Sequence, residues 1–446
     1  MMRGSRLFAG GATRLPCVCA TMFACWWLIP LGLPDTSHAQ VTPPITSSGL
    51  NTHISKPSGN SLQYDITAGT RAGTNLFHSF GDFSVPTNNI ANFLNDSGLA
   101  TSNILGRVTG GNPSNIFGTL QTTGFGGANL FLMNPAGIVF GPNAALNVGG
   151  SVSFTTGDYL RSTDGARFNA IAGPQDAAIS SAPVAAFGFL GSTPGAITVQ
   201  GAQLAVSEGQ GISLVGGNIT VQGGTLAHTT IQPARLSAPG GPINLIAVAS
   251  AGEVLTNAAS APADPTLNGF TSLGTISLTQ GADVHTSAHT AGRIVIRSGQ
   301  FTMENARLEA SATATAPTSP PSASSAGGIS VQADNVNLLH GSNVLTSAVD
   351  GTAGNITFEV STLRSNVGAD GIPLSGAAPV TIASTSTGQG GAGSISFAGK
   401  AGEPADAVLL SHTHIVTGVT NAVDPTVVPG NIAMTAQRVE LANGTA

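Results

Sequence analysis

The stretch GISVQADNVNLLHGSNVLTSA, Gly328 to Ala348, places two apolar-patterned runs on either side of His340-Gly341-Ser342. Ile329, Val331 and Ala333 alternate with polar neighbours, the period-two signature of a strand with one buried face. The Gly/Ser/Asn cluster then turns the chain into a second short strand. The opening phrase, a small residue followed by x-Ile-x-apolar, recurs from about Gly195 onward as GAITVQG, GNITVQG, GPINLIA, GTISLTQ, GRIVIRS, GNITFEV, GSISFAG and GNIAMTA. The isoleucines fall at intervals of roughly 20 to 40 residues, the range of stacked repeats with loop insertions. One such unit cannot bury its apolar side alone, whereas stacked units bury a continuous column. The pattern therefore predicts an all-β parallel β-helix with Ile197, Ile219, Ile243, Ile276, Ile294, Ile329, Ile356, Ile395 and Ile432 in one inward stack. A propeller would need regular blades, and a sandwich of this length would have to be several domains. Gly, Thr, Ser and Val interrupt nearly every window in which a helix would have to form.

Two segments depart from the repeat. Ala310–Gly328, rich in Pro, Ser and Ala, reads as a loop thrown out from one coil. The portion from Gln40 to about Phe154 is richer in Phe and Asn and is assigned as a cap, because a stack of coils must hide its open edge.

The first 39 residues read as an export signal. Arg3, Arg6 and Arg14 precede LPCVCATMFACWWLIPLGL, and Ser37-His38-Ala39 suits cleavage before Gln40. Pro16 and Pro30 interrupt the apolar run, which argues against a membrane anchor, and a lipid anchor at Cys25 would leave WWLIPLGL beyond it. Cys17, Cys19 and Cys25 all lie in this segment, so the remaining chain has no cysteine, as suits a chain that crosses a membrane unfolded. Removing Arg3, Arg6, Arg14 and Asp35 turns 15 basic and 21 acidic residues into 12 and 20, a net of −8. With no basic cluster to neutralise phosphates, nucleic acid is not an expected partner.

Catalytic motifs are missing: there is no Gly-x-Ser-x-Gly elbow, no P-loop and no His-Glu-x-x-His. His412-x-His414 would share a strand face, as would His285 and His289, but neither pair has further ligands nearby, so no metal or cofactor is expected. Asp283, Asp334, Asp350 and Glu304 are scattered singly, whereas a β-helical polysaccharide lyase or hydrolase would need acids clustered by stacking.

NLFHSFGDFSV, ILGRVTGGNPSNIFGTLQT and ANLFLMNPAGIVFGPNAALNVGGSVSFTT resemble the N-terminal secretion domain of two-partner-secretion exoproteins, the filamentous-haemagglutinin-like TpsA proteins. The likeness is continuous from about Val41 to Thr156 and looser through Ala446. It implies a right-handed parallel β-helix, exported by an outer-membrane TpsB-type β-barrel partner with POTRA domains. It also implies a surface exoprotein of the adhesin or haemagglutinin type, facing a host-cell or surface receptor, protein or glycan. Its setting would be the secreted or cell-surface compartment of a Gram-negative-type bacterium, reached through the periplasm. The family's two Asn-Pro motifs map onto Asn112-Pro113-Ser114-Asn115 and Asn134-Pro135-Ala136-Gly137-Ile138, with Ser114 and Ala136 where the pattern has Asn, and Asn115 where Leu is common. Read as turn chemistry, Asn bonds back to the backbone, Pro presets the second position, and Ala136 with Gly137 fits a type I turn. The expected organisation is a signal peptide over 1–39, a secretion domain over 40–290, and further repeats over 291–446. An autotransporter passenger is the alternative with the same fold. The end at VELANGTA falls where GSNVLTSA follows the earlier VNLL, so a further strand is expected after Ala446.

Overall fold

The computed structural model describes residues 44–446 apart from 172, 174–178, 227–229, 257–263, 314–326, 350, 389 and 423–426. The signal segment and most of the Pro/Ser-rich loop, with Asp350, lie outside the described residues. Among those described, strands dominate, and one short 3-10 turn at Lys400–Gly402 is the sole helical element.

The strands wind into a parallel β-helix of three-strand coils. Asn129–Met133, Ile138–Phe140 and Ala145–Asn147 make one coil, and Ile212–Gly216, Ile219–Gln222 and Arg235–Ser237 make another. First and second strands share a 21-stranded sheet, because only a short bend separates them, and third strands build a 12-stranded sheet. Parallel crossovers of this kind take the right-handed sense.

The isoleucines form two inward columns, not the single one expected. Val152, Ile212, Ile243, Ile294, Ile329, Ile356, Ile395 and Ile432 stack on the first strands. Ile138, Ile197, Ile219, Ile276 and Phe301 stack on the second strands. Both strands of a coil begin with a small residue at a corner and an apolar residue facing in, so their phrases look alike in sequence. The third strands add Leu204, Leu236, Val284, Leu308, Val344, Ile382 and Ile415. All of these residues except the terminal Ile432 form one continuous core, in which each buried aliphatic side chain contributes about 1.5–3 kcal/mol.

The recurrent glycine has a geometric cause. A Cβ on Gly292 would lie 1.8 Å from the Gly241 carbonyl oxygen, and one on Gly327 would lie 1.5 Å from that of Gly292. Backbones of successive coils approach too closely at this corner for any side chain. Hydroxyls from the third strands tie the same corner, with Thr286 Oγ1 donating to Gly292 O at 2.9 Å and Thr346 Oγ1 to Gly354 O at 2.7 Å.

The cap is smaller than expected. Antiparallel strands Ile45–Gly49, Thr52–Ser55 and Thr70–Ala72 cover the first coil, and parallel winding already begins at Gln63–Ala68, which pairs in parallel with Ile90–Leu94. The Phe and Asn content to Phe154 reflects an aromatic core and an amide ladder in ordinary coils, not a separate capping fold. Ala310 likewise belongs to the buried strand Arg307–Ala312, so that coil carries its strand further than the loop reading allowed.

A second sheet lies outside the repeat pattern. Tyr159–Ser162, Arg167–Asn169, Val184–Phe189, Gly252–Leu255 and Thr266–Asn268 form an antiparallel five-stranded sheet outside the helix. Its Leu160, Phe168, Phe187 and Val254 pack on the outward-facing Leu105, Met133, Val215 and Ile246 of the coils. Glu253 holds the sheet together, accepting from Arg161 Nε at 2.9 Å, Arg161 Nη2 at 2.7 Å and Tyr159 Oη at 2.8 Å. The Arg161 hydrogen bond keeps the Glu253 carboxyl below the usual carboxylate range against partial burial.

Candidate secretion-motif corner

The two Asn-Pro motifs occupy one corner of the β-helix, on adjacent coils. The second follows strand Asn129–Met133 and leads into Ile138–Phe140; the first leads into Ser114–Ile116, which pairs in parallel with Ile138–Phe140. Ser114 lies opposite Ile138, and Ile138 opposite Ile197 of the next coil.

Asn134 is the node. It is 1% exposed, and its backbone N–H donates to Thr155 O at 2.9 Å. Its Oδ1 accepts from the Ala136 N–H at 3.0 Å, and its carbonyl accepts from the Gly137 N–H at 3.1 Å, which closes a turn over Pro135 and Ala136. Ala136 stays out of the positive-φ region, as a type I turn requires, while Gly137 has φ +119°. The Asn134 amide nitrogen donates to Asn112 O at 3.0 Å and to Ser114 Oγ at 2.9 Å. The first motif is thus held by the second.

That first motif is not a second copy of the turn. Asn112 does not bond back to its own backbone; its Nδ2 donates to Asp82 Oδ1 at 2.9 Å on the coil beneath. The reason is Gly111, whose φ of +78° already turns the chain before the motif begins. Ser114 is fully buried, and its short hydroxyl receives the Asn134 amide. Asn112, Pro113 and Asn115 face solvent, although the Asn115 backbone N–H reaches Ser84 Oγ at 3.1 Å. Pro135 and Ala136 are half-buried, and Gly137 and Ile138 are buried. The Asp82 N–H continues the series to Thr46 Oγ1 at 2.8 Å. A polar spine therefore runs from the cap through Asp82, Asn112 and Asn134 to Thr155. Asp82 and Ser84 stood inside NLFHSFGDFSV, but nothing in their spacing revealed this contact.

The histidine pairs do not form. His412 sits at a corner with φ 46° between two strands, and His289 lies beyond strand Asp283–His285. Among the described residues no three His, Cys, Asp or Glu are placed to hold a metal. Asp283 and Glu309 do come onto adjacent coils, through the pairs Asp283–Arg307 and His285–Glu309. Each carries an arginine, Arg235 at 3.4 Å from Asp283 and Arg307 at 2.6 Å from Glu309. Burial raises the Asp283 pKa, but the His285 hydrogen bond and the charges of His285, Arg235 and Arg307 outweigh it and leave the carboxyl below its ordinary value. A general acid for glycoside cleavage needs the opposite shift.

No curated protein matches the chain. Among the solved structures that align with it are two secretion domains. The HMW1 secretion domain from Haemophilus influenzae shares 16% identity over 89% of this chain and 99% of that one, with a TM-score of 0.39. The filamentous hemagglutinin secretion domain also shares 16% identity over 89% and 99%, with a TM-score of 0.35. The model of the TPS secretion domain matches residues 39–302, more than half of the chain. By that match the chain belongs to the TPS secretion-domain family, the exoproteins of two-partner secretion, which leave the cell through an outer-membrane TpsB transporter.

Proposed function

We propose that this chain is a surface exoprotein of the adhesin or haemagglutinin type, delivered through a TpsB barrel carrying POTRA domains. Residues 1–39 direct it to the periplasm and are removed before Gln40. There an unfolded strand of the secretion domain adds to a POTRA sheet by backbone pairing. The chain threads the barrel and folds coil by coil outside; the absence of cysteine after residue 39 and the sparse charge favour that passage.

The observation that carries the corner's part in this reading is the burial of Asn134 with both amide atoms engaged inside the fold. Asn112, Pro113, Asn134, Pro135, Gly137 and Ile138 act in export by shaping the corner, and Asn115 does so through its backbone N–H to Ser84, not through its side chain. The pathway is tested by expressing the full chain with and without its partner barrel and measuring extracellular protein. Loss of the barrel should lower the extracellular level at least tenfold, and Gln40 should be the new N-terminus. Unchanged extracellular levels would refute the pathway.

A further inference from the structure

A groove of about 430 Å³ runs between the first-strand face of the coils and the five-stranded sheet. Its floor carries Asn129 beside the row Phe131, Ser153, Ser213 and Asn244 from successive coils, and its wall carries Pro183 and Phe187. From the Asn103 coil to the Asn244 coil it spans four coil steps, about 19 Å at ~4.8 Å each. Among the described residues, none lining it is charged. The volume falls within the range of ligand sites, and so does the mixture of apolar wall and a few polar groups.

The polar groups are held in place beforehand. Asn75 Nδ2 donates to Ser180 O at 3.0 Å and Ala182 O at 2.9 Å, and Asn103 Nδ2 donates to Asn75 Oδ1 at 2.8 Å. Asn129 Nδ2 donates to Asn103 Oδ1 at 3.1 Å, and its own Oδ1 accepts from the Ser151 N–H at 3.0 Å. Asn244 Nδ2 donates to Ser213 Oγ at 3.0 Å. The Asn103, Asn129 and Asn244 amides each keep a donor hydrogen and acceptor capacity beyond these bonds, whereas Asn75 spends both hydrogens within the fold.

We infer that this groove binds a neutral, extended oligosaccharide. Sugar hydroxyls both donate and accept, as the amides and serines do, and the apolar face of a sugar ring suits Phe131 and the exposed Pro183. The missing charge disfavours acidic glycans. An extended peptide would pair through its backbone at a sheet edge. The floor strands, by contrast, pair on both sides within the large sheet. The inference deepens the adhesin reading and rests on it for its setting.

The test titrates purified full-length protein with neutral hexaoses (cellohexaose, mannohexaose, maltohexaose), with hexagalacturonate and with an unrelated hexapeptide. Adhesion of the same protein to cells is scored in parallel. At least one neutral hexaose should bind, with affinity unchanged between 50 and 500 mM NaCl, a range over which charged contacts weaken by screening. Asn244→Ala and Ser213→Ala should each weaken that binding at least fivefold, with thermal midpoint and extracellular yield unchanged. No binding of the neutral probes, a preference for the uronate or the peptide, or affinity indifferent to both substitutions would overturn the inference. Cell adhesion that persists in those cases would leave the adhesin reading standing, while its absence would remove both.

Discussion

His78 shows how one residue couples the cap to the first coil. It is almost wholly buried against Phe80 and Phe93, with Nδ1 3.3 Å from Thr52 Oγ1 on a cap strand. Burial lowers its pKa to about 4, opposed by Asp96 and assisted by Arg71. The folded protein therefore binds a proton less readily than the unfolded chain, whose histidine titrates near 6.5. The stability from neutral His78 is full above about pH 6.5, falls as the pH drops towards 4, and is level below that. The loss should reach on the order of 3 kcal/mol. Urea midpoints measured between pH 7.5 and 4 should show this slope, and His78→Gln should flatten it; an unchanged slope in the variant would assign the effect elsewhere. At this scale the sequence was only partly legible. Asn134 and the type I geometry of Ala136 followed from turn chemistry, whereas the Asn134–Asn112 bond joins different coils and no local pattern encodes it.

At the scale of elements, the Gly-x-Ile phrase marked the strands correctly, because its glycine answers to a physical demand of the stack. Gly292→Ala should destabilise the fold by about 3 kcal/mol or more, since the new Cβ would meet backbone that cannot move without shifting a coil. Gly127→Ala is the control, because a Cβ there meets nothing within 4 Å. Equal thermal midpoints for the two variants would contradict the close-approach explanation. The phrase could not say which of two strands it opened, so two columns read as one. The five-stranded sheet escaped notice for another reason. Its strands are short, and Val184–Phe189 pairs with Gly252–Leu255 across an intervening coil, so neither hairpin spacing nor long alternation announces it.

As a whole, the described residues form a one-dimensional stack, with a cap over the first coil and exposed apolar side chains on the last described strands. The cap covers the first coil, while Ile432, Val439 and Leu441 on the last described strands are 45%, 43% and 60% exposed. In such a stack each coil is stabilised by its neighbours, so protection should decline towards an uncovered end. Amide exchange should be fastest in Ile432–Ala442 and slowest in the coils from Ile212 to Glu304; uniform protection would mean that the chain opens as a single unit. The stacking itself was legible in the repeat, but the extent of the cap was not, since aromatic content marks a thick core as readily as a terminal one. The most direct test of the central claim is the extracellular yield of Asn134→Ala and Asn115→Ala, each expressed as full chain with its partner barrel. Asn134→Ala leaves the buried Ser114 hydroxyl without its partner, a cost of about 1–3 kcal/mol, and removes the part-buried bond to the Asn112 carbonyl. This variant should lower export at least tenfold, while Asn115→Ala should export as the parent does. Normal export of Asn134→Ala together with failure of Asn115→Ala would contradict that claim, and would make the exposed face of the corner the feature that export reads.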